Sequence, residues 1–336
     1  MQSINHKHKN INPIFDDIER FYKMASEKKQ NTLVPMVYDV SFQPLLELFN
    51  QFGETEYSVE FKKKQYNKIQ LDNYDPKNII VCFSGGKDSL SAVLHYQKLG
   101  YNVYLYHITG LNKVYYDEYK AAKKLSEKLN LPLYLEDVTY TGQHEWVEHP
   151  MKNMLMLNLA LQFGIREKVG VKIATGNFYT STVYLDSFDV CGGDCIEMWR
   201  AYERIIKKVI PKFHVYVSSK NFQSTINSLL KKPELIPDVI SCMTPNRFRE
   251  QLRKKNQIKY GFPTLENRCG SCWKCCIEYI IMADNDLIKY DEAYYKHCLD
   301  ILRNTTKKES GEILYTIDDI WNRWLFYDRR KSKYMI

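Results

Sequence analysis

From Ile79 to Val217 short apolar runs alternate with longer stretches whose apolar positions recur at helical spacing. The pattern predicts a strand over 79–84, a helix over 88–99 carried by Leu90, Val93, Leu94 and Tyr96 to Leu99, and a strand from Val103 to Thr109. A helix from Tyr115 to Leu129 and a strand from Leu133 to Val138 follow, then a helix over about 152–168 and a strand from Val171 to Thr175. A helix near Glu197 to Val209 and a strand from Phe213 to Val217 complete the run. Strict alternation of this kind implies an α/β fold, a doubly wound parallel sheet whose ligands sit at the carboxyl ends of the strands.

The flanks have another character. Residues 1–75 show no repeat and no clear alternation, although Phe15 to Lys23 and Phe42 to Phe52 suit short amphipathic helices; they form an N-terminal extension. After the alternating domain, 76–217, Ser218 or Ser219 can cap a helix through Leu230, and Pro233 and Pro237 break it. Arg247 to Lys255 is a basic helix candidate, and helices are expected at Ile277 to Ala283 and Asp291 to Leu302. Residues 218–336 thus read as a helical cap with a tail that either packs back through Trp321 and Trp324 or serves as an interaction helix.

Composition narrows the class. A chain of 336 residues with 44% hydrophobic content can build one large α/β domain with additions. No run of about 18 apolar residues occurs and Met1 to His8 lacks the apolar stretch of a signal peptide, so the cytoplasm is the expected location and no membrane partner is expected. The net charge of +8 is spread over short patches, Lys62 to Lys64, Arg247 to Lys255 and Arg329 to Lys333, which suit solvated faces better than a nucleic-acid surface.

Candidate chemistry begins where the first strand ends, at Ser84-Gly85-Gly86-Lys87-Asp88-Ser89. Two adjacent glycines let consecutive backbone N–H groups approach an oxyanion, Ser84 and Ser89 add hydroxyl donors, and a helix N-terminus beneath favours negative charge. Phosphate is the group such a loop holds. The spacing does not fit the Walker pattern, which needs four residues between its glycines and Ser or Thr right after its Lys.

Nine cysteines, four of them between Cys269 and Cys276, do not suit a disulfide framework in a cytosolic protein of this size. Cys269-x2-Cys272-x2-Cys275 has metal-ligand spacing, and a fourth thiolate from elsewhere would complete a structural zinc site.

The order S-G-G-x-D-S after a strand resembles the PP-loop of the ATP pyrophosphatase superfamily, the adenine nucleotide alpha hydrolase-like fold, whose members cleave ATP between the α and β phosphates. Ser241-Cys242 followed by Cys269-Gly270-Ser271-Cys272-Trp273-Lys274-Cys275 further resembles the 7-cyano-7-deazaguanine synthases of queuosine-precursor synthesis. Lys152-Asn153, Thr175-Gly176, Asp194-Cys195, Ser219-Lys220, Glu118 and Ala122 agree with the same family, over residues 79 to 285.

The resemblance implies an ATP-dependent ligase that uses magnesium, adenylates 7-carboxy-7-deazaguanine or a related deazapurine acid, and employs ammonia to reach an amide and then a nitrile. By position it implies Ser84, Gly85, Gly86, Lys87, Asp88 and Ser89 for ATP, with Ser84, Lys87 and Asp88 catalytic and His107 at the nucleotide. Asn153, Thr175, Gly176, Asn177 and Asp194 would meet substrate, and Cys242, Cys269, Cys272 and Cys275 would hold Zn2+ in the cap. A homodimer is admissible. Departures fall on the substrate side: Lys87 replaces a usual Gln, His107-Ile108-Thr109-Gly110-Leu111-Asn112 replaces Asp-Tyr-Gly-Gln, and Ile196 stands where an Arg is expected. The 26 residues between Cys242 and Cys269 exceed the family's gap, which leaves Cys276 and Cys298 as alternative fourth ligands. His107 is also readable as a structural histidine. Two other classes compete: a PP-loop enzyme that modifies a nucleic acid, such as a tRNA thiolase with an iron–sulfur cluster, and a nucleotide-binding partner module.

Overall fold

The computed structural model describes residues 4–5, 58–59, 74–109, 116–137, 152–178, 196–207, 210–218, 222–240, 242, 246–260 and 268–305. The helices expected at Phe15 to Lys23 and Phe42 to Phe52, and the tail with Trp321 and Trp324, lie outside the described residues. Strands β1 (Ile4–Asn5) and β2 (Ser58–Val59) form a short antiparallel pair. The main sheet comprises β3 (Asn78–Cys82), β4 (Asn102–Thr109), β5 (Leu133–Asp137), β6 (Lys172–Phe178) and β7 (His214–Ser218). Eight helices are described: α1 (Lys87–Lys98), α2 (Tyr116–Leu129), α3 (Lys152–Arg166), α4 (Ile196–Lys207), α5 (Phe222–Leu229), α6 (Asn246–Tyr260), α7 (Trp273–Asp284) and α8 (Glu292–Thr305).

These elements pack as two units. The first contains the sheet, α3 and α4; the second contains the loop after β3, most of α1, all of α2, and the elements from α5 onward.

In the first unit the five strands of the main sheet all run parallel, in the order β5-β4-β3-β6-β7. The expected parallel α/β sheet is therefore present, and strand order reverses beside β3, where the chain leaves for the Ser84 loop. Ile79, Ile80, Val81 and Cys82 are all buried, as a central parallel strand requires. Helix α3 buries Leu157, Leu159, Ala160, Leu161 and Phe163, and Gly164 allows a close approach: an added Cβ there would strike the Gly170 carbonyl and the Ile80 side chain. On α4 the buried Glu203 accepts the Val215 N–H at 3.1 Å and meets His214 Nδ1 at 2.7 Å, tying that helix to β7.

In the second unit α7 and α8 join through Ile277, Ile280 and Ile281 on one side and Tyr294, Leu299 and Leu302 on the other, all buried. The rings of Tyr279 and Tyr294 meet edge to face with centroids 4.5 Å apart. Asp291 caps α8, its Oδ1 accepting the Tyr294 N–H at 2.7 Å. Pro233 and Pro237 lie in a 3₁₀ turn, Pro233–Asp238, after α5 has ended at Leu229.

Candidate functional site

Helix α1 starts at Lys87, so Ser84, Gly85 and Gly86 form the turn that delivers the chain to its N-terminus. Gly86 O accepts the Leu90 N–H at 3.0 Å and the Ser89 hydroxyl at 3.0 Å. Ser84 Oγ lies 3.3 Å from Ser89 Oγ and accepts the Gly86 N–H at 3.3 Å. The loop is thus closed on itself by its two serines, with the first-turn N–H groups of α1 lacking intrahelical acceptors.

Two surrounding elements hold it. Gly85 has φ +77° and its O accepts the Ile240 N–H at 3.1 Å; a Cβ on Gly85 would lie 2.6 Å from Ala122 N and 2.9 Å from Ala121 Cβ of α2. The segment bearing Ile240 is itself fastened to α2 through Asp238, buried, whose Oδ1 meets Lys124 Nζ at 2.6 Å and whose Oδ2 meets Lys128 Nζ at 2.5 Å. Lys128 also donates to Glu234 O at 3.0 Å. Burial pushes the Asp238 carboxyl up, but the two ammonium groups outweigh it and hold the carboxyl below its ordinary value.

A carboxyl held low stabilises the fold above its unfolded value of about 3.9 and loses that contribution as pH falls through the lower folded value. Asp238→Asn is therefore expected to cost about 1–3 kcal/mol near neutrality, less than a fully buried pair because both lysines are partly in water. Urea unfolding should show the gap between wild type and variant closing below about pH 4; a gap that persists at pH 2 would contradict this role.

Lys87 and Asp88 are joined at 2.9 Å, Nζ to Oδ2, and Asp88 Oδ1 is a buried oxygen with no hydrogen-bond partner among the described residues. Burial works to lower the Lys87 pKa, yet Asp88 and Glu278 together raise it above the usual value, so Lys87 stays charged. Cys82, two residues before the loop, is pushed up to about 12 by burial and is an inert thiol.

The same unit carries the cysteine centre. One sulfur each from Cys242, Cys269, Cys272 and Cys275 lies within 4.8 Å of the others, with Cys269 and Cys275 at 3.9 Å and Cys272 and Cys242 at 4.0 Å. Four thiolates around tetrahedral zinc stand about 3.8 Å apart for Zn–S near 2.3 Å, so donor type and spacing both fit that ion. Cys272 is the N-cap of α7 and Cys275 lies three residues on, which puts both at the helix head. Cys269 Sγ accepts N–H groups from Ser271 at 3.3 Å and Cys272 at 3.2 Å. Cys242 raises the Cys269 pKa, but hydrogen bonds with Cys272 and Cys275 outweigh this and hold it low, to about 6. The Cys272 and Cys275 thiols are pushed up, first by Cys242. Without a cation four adjacent thiols cannot all ionise; a divalent metal supplies the charge that allows it.

Of the alternative fourth ligands, neither joins: Cys276 faces Cys298, whose hydrogen bond is the main cause of its raised pKa. Support for the centre comes from residues that no sequence motif announced. Asn256 of α6 donates to Cys269 O at 2.9 Å and Ser271 Oγ at 2.7 Å, and Tyr294 of α8 donates to Gly270 O at 2.6 Å.

In the sheet unit, His107 Nδ1 donates to Phe83 O at 2.8 Å, a structural bond at the exit of β3. Thr175 and Gly176 are buried, and Thr175 Oγ1 has no partner among the described residues. The strand expected to end at Thr175 continues to Phe178, with a break in register against β7 between Thr175 and Phe178. Asn153 lies in the first turn of α3 and Asn177 in that irregular stretch, their side chains outside the described residues; Asp194 lies outside them altogether. No described helix is long and apolar enough to cross a membrane. No protein-family model and no curated protein sequence matches the chain.

Proposed function

We propose that the chain is a PP-loop ATP-dependent ligase, similar to the 7-cyano-7-deazaguanine synthases, which adenylates a carboxylate and releases pyrophosphate. The observation that carries this is the Ser84–Ser89 loop: a positive-φ glycine held against α2, donors on both sides, at the head of a helix that follows the central strand. Polyphosphate suits that cradle, with backbone N–H groups, the Ser84 hydroxyl and the charged Lys87 as donors, and Ser89 once its hydroxyl turns from Gly86 O. Asp88 Oδ1, which lacks a partner among the described residues, suits the magnesium that accompanies ATP. That ion would neutralise charge on the phosphates.

The chemistry follows from the need for a leaving group. A carboxylate resists nucleophiles until one of its oxygens is bonded to the α-phosphorus; ammonia can then attack the acyl carbon as AMP departs. Lys87 and the loop donors stabilise the leaving pyrophosphate in the first step, and positioning supplies much of the rest. The favoured acceptor is 7-carboxy-7-deazaguanine or a related deazapurine acid, converted towards amide or nitrile. The four-cysteine centre of the second unit fits a structural zinc.

With a deazapurine acid, ATP-magnesium and ammonium, turnover is expected to give AMP and pyrophosphate, and Ser84→Ala and Asp88→Ala to lower it by at least about a hundredfold. Mass spectrometry identifies amide, nitrile or trapped adenylate. ADP and phosphate as the sole nucleotide products in a single-turnover trap would rule out adenylation.

A further inference from the structure

Beside the cysteine centre in the chain, the second unit buries an arginine. Arg268 directly precedes Cys269 and is 2% exposed, yet the only hydrogen bond it makes among the described residues is from Nε to Glu278 Oε2, at 2.7 Å. Nη1 and Nη2 are buried with no hydrogen-bond partner among the described residues. Leaving such donors unmet is costly unless something pairs with them. Glu278, also 2% exposed, stands three residues after Cys275 on α7, so the ion pair is built from the two chain segments that carry Cys269 and Cys275. The thiols of Cys275 and Cys242 act electrostatically on Arg268, and Glu278 and Arg268 both act on Lys87.

Signs alternate along this path: Asp88 negative, Lys87 positive, Glu278 negative, Arg268 positive, and a thiolate centre that is dianionic once a divalent ion is held by four sulfurs. The guanidinium keeps N–H groups unmet among the described residues, directly beside Cys269 in the chain, and residues around metal ligands commonly donate to them in this way. Glu278 meets Arg268 at 2.7 Å and also acts electrostatically on Lys87.

We propose that Arg268 and Glu278 are positioning residues that couple the cysteine centre to the phosphate loop, so that metal occupancy and polyphosphate binding at Lys87 strengthen each other. The inference rests on the reading of the loop as a phosphate site, and goes beyond it in giving the metal a part in ligand affinity. Coupling of this kind is reciprocal, and a factor of about ten is the expected size.

The test uses the full chain and inorganic pyrophosphate with magnesium as probe. Wild type loaded with metal should bind pyrophosphate about tenfold more tightly than metal-free protein, and pyrophosphate should slow metal release to a chelator correspondingly. Glu278→Gln should retain one metal per chain while losing the difference, and Arg268→Lys, which keeps the charge without the planar fork, should restore part of it relative to Arg268→Gln. If metal-free protein does not fold, cobalt(II)-loaded protein carries the test: pyrophosphate should shift its thiolate-to-cobalt absorption in wild type and not in Glu278→Gln. Pyrophosphate that binds equally with and without metal, or a cobalt spectrum unmoved by bound pyrophosphate, overturns the coupling while leaving the loop assignment intact. Absence of any pyrophosphate binding to loaded wild type removes the loop assignment and the coupling together.

Discussion

Gly85→Ala is expected to abolish pyrophosphate release from ATP, by more than about a hundredfold, because it displaces the donors of the cradle. Two separate penalties meet at this position. The φ of +77° costs an L-residue about 1–2 kcal/mol, and a Cβ would lie 2.6 Å from the Ala122 backbone nitrogen, where no side-chain rotation can relieve it. Either the loop or α2 must shift, and a shift of the loop moves its phosphate donors directly.

Gly100→Ala is the control that separates these terms. Gly100 has φ +76° and nothing within 4 Å of an added Cβ, so it carries the conformational cost alone. Thermal unfolding of both variants, alongside turnover and pyrophosphate affinity, should show a small loss of stability for Gly100→Ala with binding intact, and loss of binding for Gly85→Ala. Normal turnover by Gly85→Ala would show that the loop does not hold phosphate in this way.

Much of the framework was legible because it obeys local periods. β3, expected over 79–84, spans Asn78–Cys82, and α1, expected over 88–99, spans Lys87–Lys98, since buried runs and helical spacing set elements to within a residue or two. β6 runs past the end its sequence suggests: Gly176 and Asn177 look like turn residues, but hydrogen bonding with β7 carries the strand through an irregularity to Phe178. α6 was expected from Arg247 to Lys255 and extends from Asn246 to Tyr260, its later turns supported where Asn256 bonds the Cys269 segment.

The supports of the site were not legible, for a physical reason. Asp238 meets lysines more than a hundred positions away, and Arg268 meets Glu278 ten positions on, so neither pair has a periodic signature; only the returning chain brings the charges together. The same holds for the fourth cysteine. Spacing alone identifies Cys269, Cys272 and Cys275, and it cannot separate Cys242 from Cys276 or Cys298; the packed chain does, by turning Cys276 towards Cys298 and setting Cys242 4.0 Å from Cys272.

That division makes the metal prediction sharp. Anaerobically purified protein is expected to contain about one zinc per chain, and Cys272→Ser to lose it, whereas Cys276→Ser should keep full metal content because its sulfur belongs to the packing of α7 on α8. The consequence for stability is large. A structural zinc contributes about 10–16 kcal/mol in small zinc-finger peptides, as much as the whole stability of an ordinary domain, about 5–15 kcal/mol. Three ligands also lie within seven residues, on a segment whose backbone is held by Asn256 and Tyr294, so metal loss releases those bonds as well. Uptake must displace the thiol protons, so affinity should rise with pH while Cys272 and Cys275, the thiols pushed up, remain protonated in the free site. Calorimetry should therefore find the unfolding transition of Cys272→Ser lowered by more than about 10 °C, and that of Cys276→Ser shifted by only a few degrees. Elemental analysis is the deciding measurement. Zinc lost from Cys272→Ser and retained by Cys276→Ser supports the four-cysteine site, and equal loss from both would place the ion elsewhere. A brown protein with iron and acid-labile sulfide would replace zinc by a cluster on the same four sulfurs and turn the functional assignment towards sulfur transfer to a nucleic acid.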